Sequence, residues 1–336
     1  MPSPLIRRLV LLLTGLLLVA APAARAEVTL LNVSYDVTRE FYAEYNELFA
    51  RHWQETQHEK ISLRQSHGGS SKQARAVIDG LDADVVTMNQ SHDIDMLFEK
   101  GRLIPRDWAQ RLPNRSVPST STILFVVRKG NPKGIHDWPD LVRPRTSVVI
   151  PNPKTSGNGR YTYLAAWAYA LKQPAGTPAS AESFVSSLFR NVPILDTGGR
   201  SAAITFLQRE IGDVLLTFEN EIHALGREFG TNSFDVITPS LSILAENPVV
   251  WVDKVVARHG TAGAARAYLE YLYSEPGQEL AAKYHFRPSN SEILKRHQSE
   301  FPQLTLVTVN SVFGSWAEAF KVHFNEGGLF DKIYQR

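Results

Sequence analysis

The chain has 336 residues, with 36 Lys and Arg against 34 Asp and Glu, and no cysteine. The missing cysteine excludes a disulfide scaffold, thiolate metal sites and cysteine nucleophiles. The near-neutral charge, with no basic tract, gives no footprint for nucleic acid, and the length predicts two lobes of ordinary domain size.

The first residues read as a targeting segment. Arg7 and Arg8 precede an apolar run from Leu9 to about Ala21, and Ala24-Arg25-Ala26 offers small residues where a signal peptidase reads. A secretory signal peptide cleaved after Ala26 is predicted. The run is about a dozen residues, short of the roughly 20 that span a bilayer, which argues against an anchor and for an exported, soluble mature chain. Without Arg7, Arg8 and Arg25 the basic and acidic residues become 33 and 34, a net charge of −1. Met88 and Met96 are then the remaining methionines. So little sulfur suits a protein made when sulfur is limiting, although drift in a Leu- and Val-rich sequence gives the same composition.

Strand-like apolar runs follow at Thr29–Val33, Asp84–Met88, Ile123–Val127, Ser147–Ile150, Asp213–Leu216 and Val249–Val252. They alternate with amphipathic helical stretches, the pattern of α/β layers. Four helices each begin after a small or polar turn. The first follows Tyr35-Asp36, with Phe41, Tyr45, Leu48, Phe49 and Trp53 at a 3.6 period. The second follows His67-Gly68-Gly69-Ser70, with Ala74, Val77, Ile78 and Leu81 on one face and Gly80 near its end. The third follows Thr155-Ser156-Gly157-Asn158, with Tyr161, Leu164, Ala165, Ala168 and Leu171 in register. The fourth follows Thr197-Gly198-Gly199, with Ile204, Leu207 and Ile211 inward and Gly212 as its stop.

A helix N-terminus presents unpaired N–H groups and about half a positive charge, so it is a ready anion site. Glycine permits close approach of the backbone, and serine adds a hydroxyl. Four such turns could surround a tetrahedral oxyanion with donors and no formal counter-charge. Any one of them could equally be an ordinary cap.

Other chemistries lack their signatures. Gly68-Gly69-Ser70-Ser71-Lys72 departs from the Gly-Lys-Ser/Thr order of a phosphate loop. His67-Gly68-Gly69 resembles an esterase oxyanion strand, but no Gly-x-Ser-x-Gly elbow accompanies it. Ser91-His92-Asp93-Ile94-Asp95 matches no standard metal spacing and reads as a solvated loop or helix start. Glu219 and Glu221, flanking Asn220, are spaced for neither a helical carboxylate pair nor a glycosidase dyad, and read as caps or bridges of the next helix. No catalytic residue, metal ligand or cofactor is expected. A secreted phosphate or sulfate ester hydrolase would need a nucleophile with its base, or a metal cluster. A purely structural envelope protein would show no ligand-dependent stability.

The segments Leu31-Asn32-Val33-Ser34-Tyr35-Asp36, Gln65-Ser66-His67-Gly68-Gly69-Ser70-Ser71-Lys72-Gln73, Val127-Arg128-Lys129-Gly130-Asn131-Pro132-Lys133 and Pro151-Asn152-Pro153-Lys154-Thr155-Ser156-Gly157 resemble the periplasmic sulfate/thiosulfate-binding proteins of ABC importers. So do Asp196-Thr197-Gly198-Gly199-Arg200, Ile243-Leu244-Ala245-Glu246 and Val252-Asp253-Lys254. The resemblance runs in order through essentially the whole mature chain. It implies an α/β type II periplasmic binding protein fold: two lobes, each a sheet flanked by helices, joined by crossover strands, with the ligand in the interlobe cleft. Residues 27–117 would open lobe I, 118–245 form lobe II, and 246–336 return to lobe I with the C-terminal helices. By the same resemblance, the donors would be the Asp36 N–H, Ser70 (amide and hydroxyl), Ser156, Gly157, Asn158 and the Gly199 N–H. The partners would be a thiosulfate or sulfate anion and membrane permease subunits, and the protein a periplasmic monomer that does not catalyse.

Two positions depart from the sulfate-specific pattern. Asn158 stands where the second of two glycines would be, and Phe218 where a tryptophan would donate its indole N–H. With Thr155 and Gly159-Arg160-Tyr161-Thr162-Tyr163, these resemble the thiosulfate-binding branch. Thiosulfate carries a large, soft sulfur that accepts hydrogen bonds poorly, so an aromatic face suits it better than an indole N–H. That N–H, left unpartnered, would cost about 1–3 kcal/mol. A sulfate-specific binding protein is the alternative.

Overall fold

A computed structural model describes residues 27–334. The expected signal peptide and its cleavage site lie outside the described residues. Two sheets organise the chain. The first has the order β12 (Val249–Trp251), β3 (Val85–Thr87), β1 (Val28–Tyr35), β2 (Ile61–Gly68). β1 runs parallel to β2 and β3, with Tyr35 opposite Gly68, and β12 joins β3 antiparallel. The second has the order β7 (Leu195–Asp196), β6 (Val148–Pro151), β8 (Val214–Phe218), β5 (Ile123–Arg128), β9 (Phe234–Ile237). Here β6 is parallel to β7 and β8, while β5 is antiparallel to β8 and β9. Between the two, β4 (Ser119–Ser121) lies antiparallel to β11 (Ala245–Glu246) and β13 (Arg287–Pro288). A separate parallel pair joins β10 (Leu241–Ile243) to β14 (Thr305–Val307).

This is the expected two-lobed α/β architecture. β1, β3, β5, β6, β8 and β12 coincide with the six predicted runs. β2 has no counterpart among them, because Ile61-Ser62-Leu63-Arg64-Gln65-Ser66-His67-Gly68 is largely polar. It is an edge strand, mostly half-buried, so no apolar run marks it.

The first lobe carries α1 (Arg39–Gln57), α2 (Ser70–Ile78) and α3 (Ser91–Glu99); the second carries α4 (Gly157–Leu171), α5 (Pro178–Arg190), α6 (Gly199–Leu207) and α7 (Glu219–Phe229). α1 buries Phe41, Tyr45, Phe49 and Trp53, the stripe its period predicts. Tyr45 and Phe49 meet Tyr268 edge-on, at 5.0 and 5.2 Å between ring centroids, which fastens the helix Ala262–Tyr271 to the first lobe. α4 is buried on almost every side. α6 stops at Leu207, short of the expected Ile211, and its buried residues are Gly199, Ala202, Ala203, Thr205 and Phe206 rather than Ile204, Leu207 and Ile211. Arg128 explains the early stop: its guanidinium lies 3.8 Å over the Phe206 ring and donates to the carbonyls of Phe206, Ile211 and Gly212. Those carbonyls then need no further helical turn to satisfy them.

Residues 309–334, expected to return to the first lobe, pack mainly against α4 and α5 instead. Tyr163 lies 5.1 Å from Phe324 and 6.0 Å from Phe330, Phe189 lies 5.3 Å from Phe330, and Lys154 pairs with Asp331 at 2.7 Å. The aromatic rings that this segment must bury find their partners there. No helix among the described residues is long and apolar enough to cross a membrane.

Candidate functional site

Each of the four expected turns lies where a strand hands over to a helix. β1 ends at Tyr35 and passes through a single 3-10 turn, Asp36–Thr38, into α1; β2 ends one residue before α2; β6 and β7 lead into α4 and α6. Parallel β-α connections put these turns at the carboxyl edges of the sheets, where open α/β folds take ligands. The N–H groups of Ser70, Gly157, Asn158 and Gly199 have no backbone acceptor among the described residues, as the first turn of a helix requires.

The lobes are shut upon each other, and the four turns meet. A Cβ on Gly69 would lie 2.8 Å from the Thr155 carbonyl oxygen and 2.9 Å from that of Thr197, so only glycine lets α2 approach the second lobe so closely. A Cβ on Gly199 would lie 3.0 Å from Glu221 Oε2, 3.1 Å from Asn158 Nδ2 and 3.1 Å from Val37 Cγ1. A Cβ on Gly198 would overlap Asp36 Oδ2. Asp36, Asn158 and Gly199 therefore share one neighbourhood, Ser156 and Gly157 adjoin it along the chain, and Ser70 faces it from α2. Phe218 is 1 % exposed at the end of β8, its ring edge-on to Tyr35 of the first lobe at 6.3 Å and to Tyr161 of the second at 5.9 Å.

Several expected roles change. The Asp36 carboxylate bridges the lobes: Oδ2 accepts the N–H of Arg200 at 3.2 Å. Burial pushes its carboxyl up to about 6, against the pull of the amides of Arg200, Asp36 and Val37. The Ser70 hydroxyl donates to Asp93 Oδ2 at 2.5 Å, so its hydrogen is committed and the amide is the free donor. Ser156 is the reverse case. Its N–H donates to the Asn152 carbonyl, and its Oγ, which accepts from Gly159 N–H at 3.5 Å, keeps its own hydrogen to give. The Asn158 side chain points away into the lobe, donating to Thr217 Oγ1 at 2.9 Å.

Three functional groups escaped the reading of the sequence. Asp93, expected in a solvated loop or helix start, is 1 % exposed on α3 and accepts the side chains of Ser70, Ser71 and Gln90. Arg160 on α4 faces it at 3.7 Å, donates to Ser71 Oγ at 2.5 Å and stacks 4.7 Å over Phe320. Burial pulls the Arg160 guanidinium down to about 10. This buried charge pair crosses the cleft. Glu221 is the third. It accepts the Thr217 hydroxyl through Oε2, while Oε1 is buried without a partner. Burial, with the Asp36 charge nearby, pushes its carboxyl up to about 8, so it is protonated near neutral pH. Two carboxyl groups, Asp36 and Glu221, thus lie beside the amide donors, both close to the Gly198-Gly199 turn. Glu219 bridges elsewhere, to Arg287 on the crossover strand β13 at 2.7 Å. The motif Ser91-His92-Asp93 carried a trace of the network; Glu221 carried none, since its neighbours come from distant segments.

The chain matches the model of the bacterial extracellular solute-binding proteins over residues 33–287. It is 56 % identical to a thiosulfate-binding protein of Pseudomonas aeruginosa, over 93 % of this chain and 94 % of that one. It is 51 % identical to a sulfate-binding protein of Escherichia coli, over 95 % and 97 %, and 48 % identical to a thiosulfate-binding protein of the same organism, over 98 % and 97 %. Among solved structures, the sulfate-binding protein SubI from Mycobacterium tuberculosis superposes with a TM-score of 0.79 at 29 % identity, covering 88 % of this chain and 99 % of that one.

Proposed function

This chain belongs to the bacterial extracellular solute-binding proteins, and within that family we propose that it is the periplasmic component of an ABC importer, taking up thiosulfate and sulfate. The observation that carries the proposal is the meeting of four helix starts from both lobes, with unpaired N–H groups at Ser70, Gly157, Asn158 and Gly199. Together with the hydroxyl of Ser156 and the amide of Asp36, they form a nest of fixed dipoles for one oxyanion. The relatives named for thiosulfate and for sulfate support both ligands. Phe218 favours thiosulfate, because an aromatic face tolerates a sulfur atom that a polar donor would leave unpaired.

Binding strips water from the anion and shuts the lobes. The shut form presents surface from both lobes to a membrane permease, and the protein works as a monomer exported through its signal peptide. The role proposed is to hold the ligand without changing it, in keeping with relatives named as binding proteins. Phosphate, which keeps a proton near neutral pH, needs an acceptor. The amide donors of the nest cannot accept that proton, so phosphate is expected to bind more weakly than the sulfur anions.

Isothermal titration with thiosulfate, sulfate, phosphate and molybdate tests this reading. Saturable heats with the two sulfur anions are expected; tight phosphate binding with no response to either of them would overturn it.

A further inference from the structure

Asn89 follows β3 in the first lobe and is 2 % exposed. Its carboxamide crosses to the start of α4 in the second lobe. A Cβ on Gly157 would lie 2.9 Å from Asn89 Nδ2 and would overlap Oδ1, so the carboxamide fills the space a side chain there would take. Oδ1 is buried and has no hydrogen-bond partner. Buried polar atoms are nearly always paired, and one that is not asks for a missing partner. What this oxygen faces is the first residue of a helix of 15 residues, whose N–H has no acceptor. The oxygen is the end of a carboxamide that a positive helix terminus favours when no anion is there. A half-turn of the amide exchanges oxygen for nitrogen with little change of shape and would present N–H donors to an anion seated on that terminus.

We infer that Asn89 is a further oxyanion-contacting residue of this cleft, donating through Nδ2 from the first lobe to an anion held at the start of α4. The inference rests on the cleft being a sulfur-oxyanion site. Asn89 adds a donor without adding a charge, and it reaches α4 only when the lobes are shut, so its contact couples binding to closure. It also makes up for the donor that Phe218 cannot supply.

The test is titration of the wild-type protein and of Asn89→Ala and Asn89→Asp with thiosulfate and sulfate, alongside melting curves without anion. Asn89→Ala is expected to weaken both anions about tenfold, the worth of one hydrogen bond. Asn89→Asp keeps the shape but sets a carboxylate against a dianion. It should lose about 100-fold or more at pH 7 and recover part of that as the pH falls toward the carboxylate range, a response that a packing role would not produce. If Asn89→Ala melts lower than wild type, the pH response of Asn89→Asp decides. Affinities within about twofold of wild type in both variants would overturn the inference while leaving the function intact. A wild-type protein that binds neither anion would overturn both.

Discussion

Asp36 Oδ2, in the first lobe, accepts the N–H of Arg200, in the second, at 3.2 Å, across 164 residues of sequence. The contact exists only with the lobes shut, and it needs Gly198, whose missing Cβ leaves room for the carboxylate. Gly198→Ala should therefore hold the lobes apart, lowering thiosulfate and sulfate affinity about 10- to 100-fold through misplaced donors with little change in melting temperature. Titration and small-angle scattering with and without anion would check this; normal affinity with normal compaction would refute it.

The Asp93–Arg160 pair also spans the lobes, at 3.7 Å and with both side chains buried. Removing one partner of a buried pair costs about 3–5 kcal/mol, because the other charge stays unpaired. With the lobes open, water can reach Arg160, so the penalty falls on closure. Asp93→Ala should thus weaken anion binding by about 100-fold or more. Adding Arg160→Met should restore part of the loss, as read from a double-mutant cycle.

Phe218 packs edge-on between Tyr35 and Tyr161. Phe218→Trp adds an indole N–H and should raise the affinity for sulfate relative to thiosulfate. The larger ring should also cost about 1–3 kcal/mol of stability by overpacking. Competition titration gives the ratio, and an unchanged ratio would remove Phe218 from the selectivity argument.

Glu221 ties stability to pH. Its folded pKa of about 8 lies above its ordinary 4.5, so between these values the folded state holds more protons than the unfolded state. Stability contributed by the neutral acid is complete below about 4.5 and is lost as the pH rises through about 8. Each pKa unit is worth about 1.4 kcal/mol, so the whole effect is on the order of a few kcal/mol. Glu221→Gln should flatten the decline between pH 5 and pH 9 in urea unfolding. A variant that declines as steeply as wild type would place the titration elsewhere.

The sequence by itself determined the features that neighbouring residues decide. The stripe Phe41, Tyr45, Phe49, Trp53 made α1 legible, and small or polar residues at each helix start marked four turns as candidate anion sites, because caps and periodicity act over a few residues; the resemblance then named Ser70, Gly157 and Gly199 among the donors. β2 was invisible because an edge strand needs no apolar run. The tertiary structure alone decided that Asp36 reaches Arg200, that Glu221 lies beside Gly199, that Asn89 fills the space at Gly157, and that residues 309–334 pack against α4 and α5. Each of these joins segments far apart in the chain. Their protonation, pairing and specificity come from shared burial, and burial belongs to the packed molecule rather than to any stretch of it.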